Sequence, residues 1–317
     1  MAQYLLKRLV MTFAVVLLIL LFLAVLPHVI PGDPVENILG PRATEDRILQ
    51  VRQEMGIDDP ILVQAGNFIW NAFQGDLGRD FATNRPVTAM LAQAVPHTMA
   101  LAFAALALAV LLGIPFGVLA ATKPDSLLDR ITSVISVSFI TMPSYVMGLF
   151  LLLLFPIALG ILPATGTGDL SDPLDYLSHL ILPASALAIT WVGYFARLVR
   201  SSMLEVVGSN YIRVARAYGI RERAIHYRYA LKNALVPTVA ILGVALGNLL
   251  GGSVFIELIF NRPGLGNLAL EAINARNYPV LRGSILMVAL LFVVANLAAD
   301  LSYRFLDPRI RVEETTK

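Results

Sequence analysis

The chain has 317 residues, of which 57% are hydrophobic and only 15% are charged. Since a soluble globular domain is typically about 25% charged, this composition excludes an ordinary soluble fold and predicts an integral membrane protein. The net charge of +2 gives no argument for a nucleic-acid partner, and we expect none. The chain contains no cysteine, which excludes disulfides, thiolate metal sites and cysteine nucleophiles.

Six apolar segments are long enough to cross the bilayer as helices, which takes ~20 residues. They are Leu9–Ile30, Val95–Ala121, Ile131–Leu159, Leu180–Leu198, Leu235–Ile256 and Ser284–Tyr303. The alternating segments of ~10 residues that form a transmembrane barrel are missing. The sequence therefore predicts an all-α integral membrane protein with six transmembrane helices.

The first apolar segment could also be a signal peptide, because Lys7 and Arg8 precede it. A signal peptide has an apolar core of only about 7–15 residues and ends at a small-x-small cleavage site. The segment here is longer, and no such site follows it. The favoured interpretation is an uncleaved first membrane helix.

The chain is predicted to divide into four parts. They are an N-terminal transmembrane helix (1–30), a small extracytoplasmic insertion (31–94), a core domain with five transmembrane helices (95–305) and a cytoplasmic tail (306–317). Within the insertion we expect helices around Glu45–Met55 and Ile61–Phe73. Within the spans, Pro115, Pro143, Pro156 and Pro183 each remove a backbone hydrogen bond and can kink a helix.

Lysine and arginine identify the cytoplasmic side. They are concentrated at the N-terminus, in the loop 201–234 and in the C-terminal tail, which share one side if there are six spans. The loop Ile161–Ser178 on the other side carries three aspartates and no basic residue. We therefore expect both termini in the cytoplasm.

The basic loop 201–234 is predicted to contain a short helix from Tyr211 to Tyr218. Gly219 is a natural helix stop, and a second helical segment from Glu222 leads into the fifth span. Two interpretations stay open from the residues alone. The short helix could dock into a groove of a soluble partner, or the loop could contact lipid headgroups.

The fifth span carries Gly243, Gly247 and Gly251 at four-residue spacing, followed by Ser253 and Glu257. Small residues at this spacing allow helices to approach closely. The same face could instead line a translocation path or gate, with Glu257 at its outer mouth, since ionisable groups at membrane depth are functional hypotheses. Asp300 is adequately explained by a local pair with Arg304.

Enzyme motifs are missing. A P-loop needs a glycine followed by lysine and then serine or threonine, and none of the four lysines, Lys7, Lys123, Lys232 and Lys317, follows a glycine. The four histidines have no metal-ligand spacing, and neither a zinc-protease helix motif nor a nucleophile elbow occurs. We expect no catalytic site, no metal and no cofactor in this chain.

Short motifs along nearly the whole chain resemble one family. They are Pro31-Gly-Asp-Pro34, Gly75-Asp-Leu-Gly78, Arg200-Ser-Ser-Met-Leu-Glu205, Tyr229-Ala-Leu-Lys-Asn-Ala234, Pro263-Gly-Leu-Gly266, Asn277-Tyr-Pro-Val280 and Leu306-Asp-Pro-Arg-Ile-Arg311. Together they resemble the permease subunits of dipeptide/oligopeptide/nickel ABC importers, with the first permease subunit of dipeptide importers as the nearest match.

Within this resemblance, Tyr211–Gly219 is similar to the cytoplasmic EAA loop of such permeases. Arg213 and Val214 stand where the general pattern has Glu and the first Ala, and Leu231-Lys232 replaces a later Leu-Pro. The resemblance implies that the loop contacts a cytoplasmic ATPase subunit. The implied coupling surface consists of Tyr211, Arg213, Ala215, Arg216, Gly219 and Ile220.

The resemblance also implies a type I ABC importer permease fold and a location in the bacterial or archaeal cytoplasmic (inner) membrane. Its implied partners are a second homologous permease, two cytoplasmic ATPase subunits that bind the ATP, an extracytoplasmic substrate-binding protein and the lipid bilayer. The expected substrate is a dipeptide, with longer peptides, glutathione and nickel complexes as alternatives. An ion-coupled secondary transporter would predict inverted repeats and ionisable groups near the midplane, and the sequence has neither.

Overall fold

The computed structural model describes residues 2–29 and 59–306, and their regular structure is helical. The helices are α1 (Ala2–Val29), α2 (Ile61–Phe73), α3 (Val87–Thr122), α4 (Leu127–Thr141), α5 (Ser144–Leu152), α6 (Pro173–Val207), α7 (Asn210–Ala217), α8 (Glu222–Ala224), α9 (Leu231–Ala234), α10 (Val236–Ile259), α11 (Leu265–Asn274) and α12 (Tyr278–Leu306). A π-helical segment, Leu153–Ala158, continues α5, and another, Ile225–Ala230, joins α8 to α9. Within the described ranges, β-pairing is limited to one isolated bridge between Arg79 and Pro86. The all-α prediction is confirmed.

Four helices are long and apolar enough to cross a membrane, namely α3, α6, α10 and α12 over Tyr278–Ala299. The pair Leu127–Thr141 and Ser144–Ala158 gives a fifth span if it is counted as one, with a bend of 102° between its halves. The remaining predicted span, the first in the chain, corresponds to α1. Its apolar stretch among the described side chains, Val10–Val25, is shorter than those of the other spans.

Proline chemistry explains the bend between α4 and α5. Met142 has extended backbone and ends α4, and Pro143 is the N-cap of α5. A residue before proline is disfavoured in the helical region, and proline has no N–H to continue the ladder. Pro156 lies in the π-helical segment after α5. Pro115 and Pro183, in contrast, lie inside α3 and α6, which continue through them.

Several helices extend beyond the predicted apolar spans, because hydropathy reports only the apolar part of a helix. Helix α3 begins at Val87, so the predicted insertion 31–94 ends inside a helix. Helix α6 is longer than its predicted span at both ends, and it takes residues from the predicted outer loop and from the predicted cytoplasmic loop 201–234. Its start is fixed by Asp172, whose carboxylate accepts hydrogen bonds from the N–H groups of Leu174 and Asp175.

One predicted helix of the insertion is confirmed, and other predicted features lie outside the described residues. The helix at Ile61–Phe73 is confirmed. The helix expected around Glu45–Met55, the motif at Pro31–Pro34 and the tail after Leu306 lie outside the described residues.

The chain forms two compact units. One comprises Met1–Thr98 and Pro263–Val293, and the other comprises Met99–Arg262 and Val294–Lys317. In the first unit α1 packs against α2, with Leu20 and Leu23 of α1 buried in an apolar cluster together with Leu286.

Two of the short sequence motifs meet in this first unit. A Cβ at Gly78 would lie 3.4 Å from the Cβ of Pro279, which is ordinary contact. The side chain of Asn277 donates a hydrogen bond to the buried carboxylate of Asp80. Burial raises the pKa of Asp80, but hydrogen bonds from Thr83, from the Ala82 N–H and from Asn277 outweigh it, so the pKa lies below its ordinary value. The motifs therefore stabilise this unit.

In the second unit α6 is central and packs against α4, α5 and α10. Glycines allow the close approach: a Cβ on Gly117 of α3 would lie 2.5 Å from the Ala196 carbonyl, and one on Gly193 of α6 would lie 2.5 Å from the Ser136 carbonyl. Such small-residue contacts are typical of helix packing in membranes.

Candidate functional site

The helix α7 of the basic loop has well-defined ends. At its start, Ser209 is the N-cap residue with extended backbone, and its hydroxyl donates a 2.6 Å hydrogen bond back to the Val206 carbonyl at the end of α6. At its end, Gly219 has a φ of +75°, the Gly219 N–H donates to the Arg216 carbonyl at 2.9 Å, and the Ile220 N–H donates to the Ala215 carbonyl at 3.2 Å. These two bonds form a Schellman motif. The predicted glycine stop is confirmed.

One face of the loop is buried against the membrane helices. Ile212 of α7 is fully buried. Its apolar cluster also contains buried residues from the segments after α7 and from α3 and α6, namely Ile225, Ala230, Ala234, Val118, Ala121, Val199 and Met203. The loop is therefore docked on α3 and α6, and a displacement of α7 would act directly on both helices.

The opposite face of α7 presents an exposed apolar stripe, Tyr211, Val214 and Tyr218, at helical spacing i, i+3, i+7. These side chains are 43%, 54% and 83% exposed. Contiguous exposed apolar residues with polar surroundings indicate a protein-binding surface. Arg213 and Arg216 are exposed beside the stripe.

The six predicted coupling residues do not share one surface. Tyr211, Arg213, Arg216 and Gly219 are exposed, whereas Ala215 is only 7% exposed. Ile220 is half-buried and packs against the apolar cluster. Ala215 and Ile220 therefore belong to the inner face that holds the loop.

Val214 and Tyr218 were not among the predicted coupling residues, although their spacing from Tyr211 is visible in the sequence. A helical projection that starts at Tyr211 would have found them. They lie on the outward surface together with Tyr211.

Polar contacts tie α7 to the segment that follows it. Arg216 and Glu222 form a two-pronged ion pair across the Gly219 turn, with Nε–Oε1 at 2.7 Å and Nη2–Oε2 at 3.3 Å. Their mutual hydrogen bond raises the pKa of Arg216 and lowers that of Glu222. The Tyr211 hydroxyl accepts a hydrogen bond from Asn233 at 2.8 Å and donates to the Tyr229 carbonyl at 3.4 Å.

The four residues predicted for a translocation path in α10 also differ in their exposure. Gly251 is exposed, and a Cβ built there would have nothing within 4 Å. Gly247, Ser253 and Glu257 are buried, and the Ser253 hydroxyl donates to the Leu250 carbonyl at 2.9 Å. Of the four, Gly251 alone is exposed.

Glu257 lies close to a buried arginine that the sequence analysis missed. Arg262 is fully buried, and its guanidinium donates to the carbonyls of Gly166 and His179 at 3.3 and 3.2 Å and to the Tyr176 hydroxyl at 3.3 Å. Burial lowers the pKa of Arg262, and the charge of Glu257 acts in the opposite direction. Glu257 thus serves as a countercharge inside the second unit.

Residues 113–312 match the family model of the binding-protein-dependent transport system inner membrane component, and residues 1–102 match the N-terminal model for such membrane components. A peptide transport system permease protein of Brucella abortus (strain 2308) is 39% identical, covering 99% of this chain and 100% of the relative.

The names of two further relatives mention other substrates. A D,D-dipeptide transport system permease protein of Escherichia coli (strain K12) is 39% identical, covering 90% of this chain and 91% of the relative. A glutathione transport system permease protein of Shigella flexneri serotype 5b (strain 8401) is 35% identical, covering 98% of this chain and 99% of the relative.

Among solved structures, the inward-facing methionine ABC transporter MetNI matches with a TM-score of 0.57 at 21% identity, covering 69% of this chain and 96% of the matched chain. The shared architecture confirms the predicted type I ABC importer permease fold. Membership also excludes the secondary-transporter alternative and places ATP hydrolysis in partner subunits. The chain belongs to the family of binding-protein-dependent transport system inner membrane components, and it is a multi-pass permease subunit of an ABC importer that works with ATPase and binding-protein partners.

Proposed function

We propose that this chain forms one half of the translocation path of an ATP-driven importer of peptides, with a dipeptide as the first substrate to test. A second homologous permease forms the other half. The names of the relatives support a peptide substrate: they refer to peptides, D,D-dipeptides and glutathione, and glutathione is itself a tripeptide. Amide-linked amino acids are the chemistry that all three names share.

The observation that carries this proposal is the two-faced α7. Its exposed stripe, Tyr211, Val214 and Tyr218, fits a cleft on a cytoplasmic ATPase subunit, while its buried face rests on α3 and α6. When two ATPase subunits close on ATP, α7 moves with them and shifts the membrane helices. ATP stays in the partner subunits, and this chain needs no cofactor.

If α7 contacts a cytoplasmic ATPase subunit, the sides of the membrane on which the other segments lie follow from it. The loop with α7 lies in the cytoplasm, together with both termini. The acidic loop before α6 and the insertion after α1 lie outside, where a substrate-loaded binding protein can dock. On α10, Gly251 faces the path, and the buried Gly247, Ser253 and Glu257 position that helix behind it.

The test is uptake of a labelled dipeptide by cells that lack this chain and carry one of three versions. The wild type should restore uptake. Gly219→Arg should insert in the membrane at normal abundance but fail to transport, because a bulky charged residue at φ +75° disrupts the end of α7.

Gly219→Asn is the matched control, since asparagine tolerates the left-handed conformation. It should retain most of the uptake. Normal transport by Gly219→Arg would contradict the docking role of α7.

Glutathione is the second candidate, favoured by the 35% identical relative. Measuring the uptake of labelled glutathione in the same cells distinguishes this substrate from a dipeptide. If deletion leaves dipeptide uptake unchanged and abolishes glutathione uptake, the substrate assignment is wrong and the importer architecture stands.

A further inference from the structure

A cavity of about 280 Å³ lies between α4 and α6 in the second unit. Its lining combines hydroxyl, apolar and cationic side chains, namely Thr132, Ser133, Ser136, Val137, Ala196, Arg197 and Arg200. Neither the coupling surface nor the predicted path uses these residues. The cavity is therefore a separate feature of the fold.

One of the two arginines that line the cavity is held in an ion pair. Asp129 is buried, and Arg200 binds it in a two-pronged arrangement, with Nε–Oδ1 at 2.5 Å and Nη2–Oδ2 at 2.7 Å. The Asp125 N–H also donates to this carboxylate, at 3.0 Å. The charge of Asp129 is thus balanced by that of Arg200.

The second arginine of the lining is left with an unbalanced charge. Arg197 is exposed and forms no ion pair within the part of the chain that the structure describes. Ser136, buried on α4, adds a hydroxyl to the same cavity. The Thr132 hydroxyl is committed to the Leu128 carbonyl at 2.8 Å. The site carries one net positive charge and suits an oxyanion, which arginine binds with charge-assisted hydrogen bonds.

The surroundings of the cavity select the kind of oxyanion. The neighbouring face of α4 exposes a stripe of apolar side chains at helical spacing, namely Leu127, Leu128, Ile131, Val134 and Ile135. Such a stripe suits acyl chains beside a phosphate group. A free carboxylate or phosphate in water would gain nothing from it.

The depth of the cavity agrees with a lipid headgroup. Arg200 lies seven residues before the end of α6 at Val207, which is roughly 10 Å along the helix. This end leads into α7, so it is the cytoplasmic end if the proposed function is correct. Basic pockets between transmembrane helices on that side bind anionic headgroups.

We propose that this cavity binds the phosphate group of an anionic phospholipid from the cytoplasmic leaflet. Arg197 and Ser136 contact the phosphate, and Arg200 donates to it through the N–H groups that do not bind Asp129. The acyl chains lie along the α4 stripe.

Native mass spectrometry of the purified importer complex tests this, with dioleoyl phosphatidylglycerol as probe and dioleoyl phosphatidylcholine as reference. The wild type should retain phosphatidylglycerol preferentially. Arg197→Gln should bind it about fivefold more weakly, the effect expected for one arginine at a headgroup. Arg197 makes no ion pair with the residues that the structure describes, so this variant should fold.

Arg130→Gln is the matched control, because Arg130 is exposed on α4 next to Asp129 but does not line the cavity. It should bind phosphatidylglycerol like the wild type. Equal losses in the two variants would mean general attraction to basic surface and would overturn the site.

A third arm separates lipid from soluble anions. Inorganic phosphate or a dipeptide added at millimolar concentration should not displace the phosphatidylglycerol. Displacement by either would assign the cavity to a soluble anion and overturn the lipid proposal. None of these readouts depends on transport, so they stand or fall independently of the peptide assignment.

Discussion

At the scale of single residues, Arg262 shows how a buried charge is tolerated near the end of a membrane helix. The guanidinium is removed from water but has two carbonyls and a tyrosine hydroxyl as acceptors. It also lies 5.5 Å from the centroid of the Tyr176 ring, within the range of a cation–π contact. Such an arginine joins the loop before α6 to the end of α10.

Replacing Arg262 with methionine should lower the stability of the second unit. The substitution keeps much of the volume but leaves the Gly166 and His179 carbonyls without this donor, and a lost hydrogen bond to a charged group costs about 1.5–3 kcal/mol. Thermal unfolding of the purified importer should therefore begin several degrees lower. Arg130→Met, at an exposed position, should leave the midpoint unchanged. Equal midpoints for Arg262→Met and the wild type would show that these contacts contribute little.

Some residue roles could be predicted from the sequence and others could not. Gly219 was found because a helix pattern ends there, which is a local signal. Arg262 was missed because it precedes a glycine-rich turn in a segment that looks polar and exposed, and burial arises only from segments that are distant in the chain. The burial of Ala215 was not predicted for a related reason: the resemblance gives its position in a motif but not the face on which it lies.

At the scale of helices, the repeated glycines of α10 serve different purposes. A Cβ on Gly243 would overlap the Cβ of Ala299 and lie 2.8 Å from its Cα, so Gly243 permits close contact with the last part of α12. Gly251, two turns further along, has open space around it. Although the glycines are equally spaced in the sequence, Gly243 is therefore a packing position and Gly251 is an exposed one.

This difference predicts opposite tolerance of alanine. Gly243→Ala should destabilise the packing of α10, since inserting a methyl group into a tight contact typically costs about 1–3 kcal/mol. Gly251→Ala should leave the thermal unfolding midpoint unchanged. Adding Ala299→Gly to Gly243→Ala should recover part of the loss, because it removes the methyl group that is overlapped. A double variant no more stable than Gly243→Ala would refute this contact as the cause.

The existence of the long helices could be predicted, but their ends and angles could not. Hydropathy located α10 to within a few residues, since both of its ends coincide with the ends of the apolar run. It shortened α6, whose N-terminal turns begin at a polar capping residue, Asp172. Pro143 indicated a break, yet the bend of 102° depends on how α4 and α5 each pack against α6.

At the scale of the molecule, α6 connects the features described above. It packs against α4, α5 and α10, supplies Val199 and Met203 to the cluster beneath α7, and holds Asp129 of α4 through Arg200. A force on α7 therefore reaches the centre of this unit through a continuous helix. The proposed lipid site lies on the same helix, where a bound headgroup would brace α4 against α6.

The orientation of the chain in the membrane is the last prediction, and the absence of cysteine makes it directly testable. Three single-cysteine variants are needed: Leu170→Cys in the acidic loop before α6, Arg223→Cys after α7, and Thr316→Cys in the tail. Leu170 and Arg223 are exposed, so a membrane-impermeant maleimide can reach a cysteine at either position.

In spheroplasts only Leu170→Cys should react, because α6 separates it from Arg223 and six spans return the tail to the cytoplasm. All three variants should react after the membrane is permeabilised. Labelling of Thr316→Cys from outside, with Arg223→Cys still protected, would mean that one of the two spans after Arg223, α10 or α12, does not cross the membrane. Labelling of Arg223→Cys from outside would place α7 on the wrong side for an ATPase, and the coupling surface would have to be abandoned.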